Sequence, residues 1–429
     1  MASTYLSRTA SGGSRTTWTI STWVKRGSLG SGLSSCIFDA IAGNTQNESQ
    51  LLFLDDSIEF YDYTSSTRTG TLITTAKYRD VNGWYHIVAV WDTTNATAGD
   101  RMRLYVNGEE VTSFSTDTQP SLNQNSSLGN GTYTQQIGLY GSNPGYYFNG
   151  SMSHFHFIDG TAYDASAFGE FDATTGIWKP KTAPSVTYGT NGFFLKFENS
   201  GSMGTDSSGN GNNFAVNGNL TQTVDTPSNV FATLNPLAKP STVTLSNGNL
   251  TNTSTSPNAA VVSTLGVSKG KWFVEAVPRS SGSNNSNIGI STVSDVSGIA
   301  FLGHTATSWC YATDGNIYNN GSAILNTGTT YTVNDVIGMA VDMDNGQVFF
   351  YKNGTIINSG SACITGLSGD VFLGNGAGNS IVDFNFGNGY FGTTPVSSAT
   401  SDESGLGIFE HTVPSNYNCL CTKNINTYG

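Results

Sequence analysis

Large apolar and small polar residues alternate along Thr17-Trp-Thr-Ile-Ser-Thr-Trp-Val-Lys25, which sets Trp18, Ile20 and, after a one-residue shift, Trp23 toward a core. Gly83-Trp-Tyr-His-Ile-Val-Ala-Val-Trp91 reads as a second strand. Arg101 to Val111 reads as a hairpin, because Asn107-Gly108 supplies the positive φ angles that a type I′ turn requires. Tyr147 to Ile158 gives a further strand pair. Residues 190–260 read as a bridge: a strand at Phe193–Phe197, a turn-dense loop at Asp206–Asn213, then an extended run punctuated by Pro227, Pro236 and Pro240. The strand pattern resumes at Gly270–Val277 and Val336–Asp342, followed by a hairpin over Gln347–Ile357 that turns at Asn353-Gly354 and a late strand at Val382–Gly387. The pattern predicts an all-β chain of two jelly-roll-like sandwiches with almost no helix: residues 1–190, a bridge over 191–240, a second sandwich over 241–395, and a tail over 396–429 that packs back or reaches a partner. The two hairpins are alike, but no longer internal repeat is present.

Composition supports this reading. The 429 residues include 51 Gly, only 11% charged residues, and 23 Phe, 19 Tyr and 7 Trp. Glycine and small polar residues favour short strands and tight turns. The aromatic content is too high for a disordered chain. A net charge of −12 with 18 scattered Lys and Arg disfavours a phosphate-binding surface, so no nucleic acid is expected as a partner. A weakly charged surface suits a neutral partner such as a glycan or another protein. The five cysteines, Cys36, Cys310, Cys363, Cys419 and Cys421, are an odd, sparse set that does not make a disulfide framework; they are expected as buried free thiols. Met1 to Arg15 is polar and no apolar run of about 18 residues occurs, so neither a signal peptide nor membrane insertion is expected.

Particular strands resemble known domains. Trp18-Thr-Ile-Ser-Thr-Trp-Val-Lys25, Gly83 to Trp91, Leu104-Tyr-Val-Asn-Gly108 and Phe148-Asn-Gly-Ser-Met152 resemble the concanavalin A-like, laminin G-like jelly rolls over roughly the first 170 residues. Lys269-Gly-Lys-Trp-Phe-Val-Glu275, Asn287-Ile-Gly-Ile290, Asp335 to Gly346, Val348-Phe-Phe-Tyr-Lys-Asn-Gly354 and Asn385-Phe-Gly387 resemble a SPRY domain over roughly residues 240–392. Thr4-Tyr-Leu-Ser-Arg-Thr9, Asp225 to Pro236, Pro414-Ser-Asn-Tyr417 and Thr422-Lys-Asn424 look like modules of tail-fibre and other virion proteins of marine bacteriophages. The resemblance implies two curved β-sandwiches whose loops bind glycans or proteins. It implies a chain made in the host cytoplasm without a signal peptide and displayed on the virion surface. It transfers no ligand, since these folds host many functions.

Candidate chemistry is sparse. Glycosidases on concanavalin-like folds use a Glu-x-Asp-x-x-Glu strand; here Glu170-Phe-Asp172 is followed by Thr175 where the third acid belongs. Of the five histidines, His86, His154, His156, His304 and His411, the His154-Phe-His156 pair falls on one strand face, a weak metal motif. No sequence context marks a nucleophilic triad. Calcium enters as a candidate ligand at Asp342-Met-Asp-Asn-Gly346, which lacks the downstream Glu of an EF-hand, and at the oxygen-rich loop Asp206–Asn213. Glycan recognition uses rings to stack on sugar faces and amides or carboxylates for hydroxyls. The best candidates are Asn143, Tyr146 and Tyr147 in a Gly/Pro loop, and Trp309, Tyr311 and Asp314 in the second half. The expected function is a non-catalytic phage virion surface protein, of fibre or decoration type, adhering to host surface glycans. Its expected partners are other virion proteins and host cell-surface polysaccharide, with a homo-oligomeric arrangement. A purely structural decoration protein and a polysaccharide depolymerase are the alternatives.

Overall fold

The alternating segments become strands in the computed structural model, which describes residues 4–30, 34–41, 47–141, 145–256, 259–280, 286–376 and 378–429. Two readings differ: Val24 joins Trp18 and Ile20 in the core while Trp23 stacks on His86, and Gly150–Asp159 is a single strand rather than a pair. The chain divides into two compact units, Met1–Gln222 and Thr223–Gly429. Strand accounts for 44% and helix for 4%, so the all-β expectation holds.

The first unit contains β1 (Tyr5–Ser11), β2 (Thr17–Arg26), β3 (Ser34–Ile41), β4 (Glu48–Leu54), β5 (Ser57–Thr64), β6 (Thr67–Thr74), β7 (Tyr85–Asp92), β8 (Met102–Val106), β9 (Glu109–Glu110), β10 (Phe114–Thr118), β11 (Thr132–Ile137), β12 (Gly150–Asp159), β13 (Gly169–Phe171), β14 (Trp178–Pro180), β15 (Phe193–Leu195) and β16 (Ala215–Asn217). One sheet runs β10-β6-β5-β4-β3-β11-β1-β16 and the other β15-β12-β2-β7-β8-β9. Trp18 and Trp91, stacked 6.0 Å apart, centre the core with Phe38, Phe60, Phe157 and Phe193. Asn107 and Gly108 adopt φ of 51° and 88°, the two positive angles of a type I′ turn. The segment read as a bridge is divided differently: β15 and β16 complete the two sheets of the first unit.

The second unit repeats the sandwich plan with β17 (Val243–Ser246), β18 (Thr251–Ser254), β19 (Val261–Val262), β20 (Lys271–Ser280), β21 (Ile288–Ser291), β22 (Ser308–Tyr311), β23 (Asn316–Asn319), β24 (Ser322–Asn326), β25 (Ile337–Asp342), β26 (Gln347–Lys352), β27 (Thr355–Ile356), β28 (Phe372–Asn375) and β29 (Ile381–Asn385). Its sheets run β17-β18-β29-β20-β25-β26-β27 and β19-β28-β21-β22-β23-β24 around Trp272, Tyr311, Tyr331, Phe350 and Phe384. Asn353 and Gly354 repeat the positive φ pair at 49° and 78°.

The tail packs back onto this unit. Asn418–Cys419 pairs in parallel with β20, and Phe409, Val413, Tyr417 and both nearby cysteines cover Phe273 and Ala340 on the sheet face opposite the core. Buried Glu275 anchors it, accepting from the Glu410 N–H at 2.8 Å and the His411 N–H at 2.9 Å.

Candidate functional site

Antiparallel register sets Gln136 of β11, Asp39 of β3, Gln50 of β4, Tyr61 of β5 and Thr71 of β6 directly opposite one another, in one row across five strands. Their sequence neighbours Ile137, Phe38, Leu51, Phe60 and Leu72 point into the core, so the row lies on the other face of the sheet. An outward row is normally solvated. Here Asp39, Gln50, Tyr61 and Thr71 are all buried, as is Glu48, two residues along β4. Cys36, Leu52 and Tyr61 form a small apolar cluster on this face, flanked by half-buried Leu54, Tyr63 and Tyr140.

The polar groups of the row are incompletely paired. The Tyr61 hydroxyl lies 2.8 Å from Glu48 Oε1 and 2.5 Å from Gln50 Oε1, and its one proton serves one of them at a time. The Gly141 N–H donates to Asp39 Oδ2 at 2.7 Å. Arg68 pairs with Glu59 at 2.7 Å and lies 4.3 Å over the Tyr61 ring. Asp39 interacts with the Gln50 amide and Glu48 with the Tyr140 hydroxyl, while Thr71 Oγ1 and Gln136 Oε1 are buried without a hydrogen-bond partner. Leaving such an atom unpaired costs about 1–3 kcal/mol, so a buried polar row on the outer face requires an explanation. Burial pushes the Asp39 carboxyl up to about 7 against the lowering effect of the Gly141 N–H. Burial also raises Glu48 and, strongly, the Tyr61 hydroxyl.

The first loop singled out in the sequence borders this row. Asn143 lies outside the described residues. Tyr146 and Tyr147 are half-buried; the Tyr146 ring sits 6.1 Å from Tyr140, and Tyr147 sits 6.3 Å from Tyr5. Gly141 brings the loop down onto the row, where an added Cβ would stand 2.8 Å from Asp39 Oδ2. The row itself escaped sequence reading. Its signal was the alternation in Glu48-Ser-Gln50 and Glu59-Phe-Tyr-Asp-Tyr63, whose polar and tyrosine positions share a face away from Leu51, Phe53 and Phe60.

The second candidate group does not assemble. Tyr311 is fully buried in the core with its hydroxyl donating to the Thr329 carbonyl at 2.6 Å, so it presents no face to a sugar. Trp309 packs half-buried against the same core. Asp314 is exposed but holds its own turn, accepting from the Asn316 N–H at 2.9 Å and the Tyr318 hydroxyl at 2.7 Å.

The remaining motifs resolve into structure. His154 and His156 both pack against the Phe194 ring, the former at 6.0 Å, across a bulge that separates Ser153 from His156 and sets His154 at φ 48°. His156 stacks on Phe194 at 3.9 Å and meets the Tyr188 hydroxyl at 2.9 Å. Buried His86 contacts Ser21 Oγ through Nε2 at 2.9 Å, a spacing that suits a nucleophile and its base. However, Trp178 Nε1–H donates to His86 Nδ1 at 2.9 Å. The neutral ring therefore carries its proton on Nε2 and donates to Ser21, the reverse of what a general base does. Burial lowers His86 to about 3, which keeps it neutral. Asp342 is committed to Lys271 at 2.9 Å and to its own hairpin turn through Asn345. Asp206 accepts from the N–H groups of Phe194, Ser208 and Asn212, which closes its loop on itself. Glu170 and Asp172 pair with Lys179 at 3.7 and 3.0 Å. Among the described residues, no group of three or more His, Cys, Asp or Glu side chains is placed to hold a metal ion.

Comparison with known proteins agrees with the two-unit division. Residues 2–165 match the concanavalin A-like lectin/glucanases superfamily. Residues 271–389 match the SPRY domain. No curated protein matches the chain. Among solved structures, the SPRY domain of human HERC1 is 20% identical, covering 35% of this chain and 96% of that one at a TM-score of 0.30. A native heptameric SAP-like pentraxin from Limulus polyphemus is 16% identical, covering 37% and 71% at 0.28. The TRIM65 PSpry domain is 13% identical, covering 36% and 91% at 0.28. The domain content fits a non-enzymatic binding or adhesion module.

Proposed function

We propose that the first unit binds a hydroxyl-rich glycan over the Gln136–Asp39–Gln50–Tyr61 row and its bordering tyrosine loop, and that the chain works as an adhesion protein on a virion surface. The observation that carries the binding reading is the concentration of buried polar side chains on a sheet face that points away from the core. Sugar hydroxyls both donate and accept. They match the carboxyl groups of Asp39 and Glu48 and the amides of Gln50 and Gln136, while the Tyr140 and Tyr146 rings supply apolar faces. Half-buried Tyr63, Tyr140 and Tyr146 form the rim.

The virion setting rests on the terminal and bridging segments that look like phage virion modules, and on a surface too acidic for nucleic acid. In that setting the partners are other virion proteins and host envelope polysaccharide. A homo-oligomer multiplies weak single-site binding.

The test is affinity for host envelope polysaccharide measured on the purified chain. Asp39→Asn and Tyr61→Phe are expected to weaken binding at least tenfold, on the order of 1.4 kcal/mol. Tyr146→Ala is expected to cost about 1–3 kcal/mol, as for a ring anchor. Undiminished affinity in all three variants moves the site elsewhere. No affinity for any envelope fraction favours the structural decoration role.

A further inference from the structure

We propose that Cys419 and Cys421 are a redox-active dithiol that closes to a disulfide when the protein meets a peroxide. Buried free cysteines ordinarily serve as small apolar side chains, and Cys36, Cys310 and Cys363 do so in three separate clusters. Cys419 and Cys421 differ because they face each other, with Sγ atoms 3.7 Å apart.

The backbone brings this about. Strand alternation sends Leu420 into the main core and both cysteines to the opposite side. The Cys421 N–H donates to the Cys419 carbonyl at 3.1 Å, a three-residue turn that draws the two thiols together. Glycines make the room: a Cβ on Gly387 would stand 2.5 Å from Cys419 Cβ, and one on Gly407 would stand 2.6 Å from it. Closing from 3.7 Å to the ~2.05 Å of an S–S bond needs side-chain rotation rather than a new backbone path.

The pair is electrostatically asymmetric. The Cys419 S–H donated to Cys421 lowers the latter, while that same contact, burial and nearby Asp402 hold the Cys419 thiol up. Cys421 is then the attacking thiolate. Its sulfur takes the terminal oxygen of the peroxide, the O–O bond breaks, hydroxide leaves and Cys421 becomes a sulfenic acid. The Cys419 sulfur attacks that sulfur, the S–O bond breaks, and water leaves with the Cys419 proton. The two thiols are oxidised by two electrons and the peroxide is reduced by two. Both thiols are buried, so reaction with peroxide needs a local opening around the helix Thr422–Tyr428, of which Cys421 is the N-cap.

Oxidation is felt at that helix. Asn424 Nδ2 lies 3.1 Å from Cys419 Sγ, 3.1 Å from the Cys419 carbonyl and 3.0 Å from Ser404 Oγ. Turning the Cys419 sulfur toward Cys421 removes one of these contacts. The ring closed by the disulfide is too short to stabilise the fold greatly, so the bond stays reducible.

The experiment treats the full chain with hydrogen peroxide under native conditions, then unfolds it, alkylates it with iodoacetamide and maps the peptides by mass. The expected result is three of the five cysteines alkylated. The peptide spanning Cys419 and Cys421 should have lost two hydrogens, reversibly by dithiothreitol, and amide exchange in the terminal helix should be faster. Cys419→Ser should leave a sulfenic acid on Cys421 that dimedone traps, and Cys363→Ser should behave as the parent. Full alkylation of all five after treatment, oxidation spread evenly over the cysteines, or irreversible oxygen addition at this pair would each overturn the proposal.

Discussion

Burial raises Asp39 to about 7, and the sign of its effect on stability follows directly. The folded carboxyl holds its proton to higher pH than the unfolded one, which titrates near ~3.9. The stability it contributes is complete below that value and is lost as pH rises through about 7. Asp39→Asn removes this dependence, so its stability relative to the parent should improve between pH 5 and pH 8, by an amount on the order of a few kcal/mol. Urea unfolding at the two pH values checks this; parallel behaviour of parent and variant contradicts it. His86 acts in the opposite sense. Its folded value is lowered to about 3, so its contribution is present above the unfolded value of about 6.5 and is lost as pH falls. Trp178→Phe leaves His86 Nδ1 buried without its donor and should cost about 1–3 kcal/mol in the same assay.

At the scale of the element, the sequence exposes what is local and conceals what is long-range. Asn107-Gly108 and Asn353-Gly354 read as hairpin turns because the positive φ pair is a property of two adjacent residues. The row through Gln136, Asp39, Gln50, Tyr61 and Thr71 is a property of register, since β3 pairs with β11 across about a hundred intervening residues. Alternation shows that Asp39 and Tyr61 avoid the core but not that they stand side by side. His154-Phe-His156 keeps both rings against Phe194 across a bulge, a packing arrangement that depends on the long-range pairing with β15. Tyr311 looks like a loop aromatic because Gly315 and Asp314 follow it, yet it ends β22 with its ring inward. Gly141 is the element-level test of the site. Gly141→Ala drives a methyl group against Asp39 and lifts the loop, so glycan retention should fall severalfold while far-ultraviolet circular dichroism stays unchanged. Unchanged retention would separate the loop from the binding face.

At the scale of the whole molecule, the tail is an integral layer of the second unit. From 396 onward the sequence reads as a separate tail, because Phe409, Val413 and Tyr417 are too widely spaced to predict a strand. Their cover over Phe273 and the anchoring of Glu275 appear only in three dimensions. Burial raises Glu275 to about 7 against the two tail N–H groups that bind it. Deleting residues 396–429 removes both donors and strips the cover from Phe273. The second unit should then lose cooperative unfolding in calorimetry while the first keeps its transition. Two intact transitions in the truncated chain would contradict this role for the tail.

The central claim is binding without turnover at the outer face of the first unit. Its most direct test incubates the purified chain with host envelope polysaccharide and follows retention and polymer length in the same sample. Polysaccharide is expected to be retained, retention to fall in Asp39→Asn and Tyr146→Ala, and the length distribution to stay constant with time. Progressive shortening that disappears in Asp39→Asn or Glu48→Gln would contradict it, turning the two raised carboxyls from ligand contacts into an acid pair for hydrolysis.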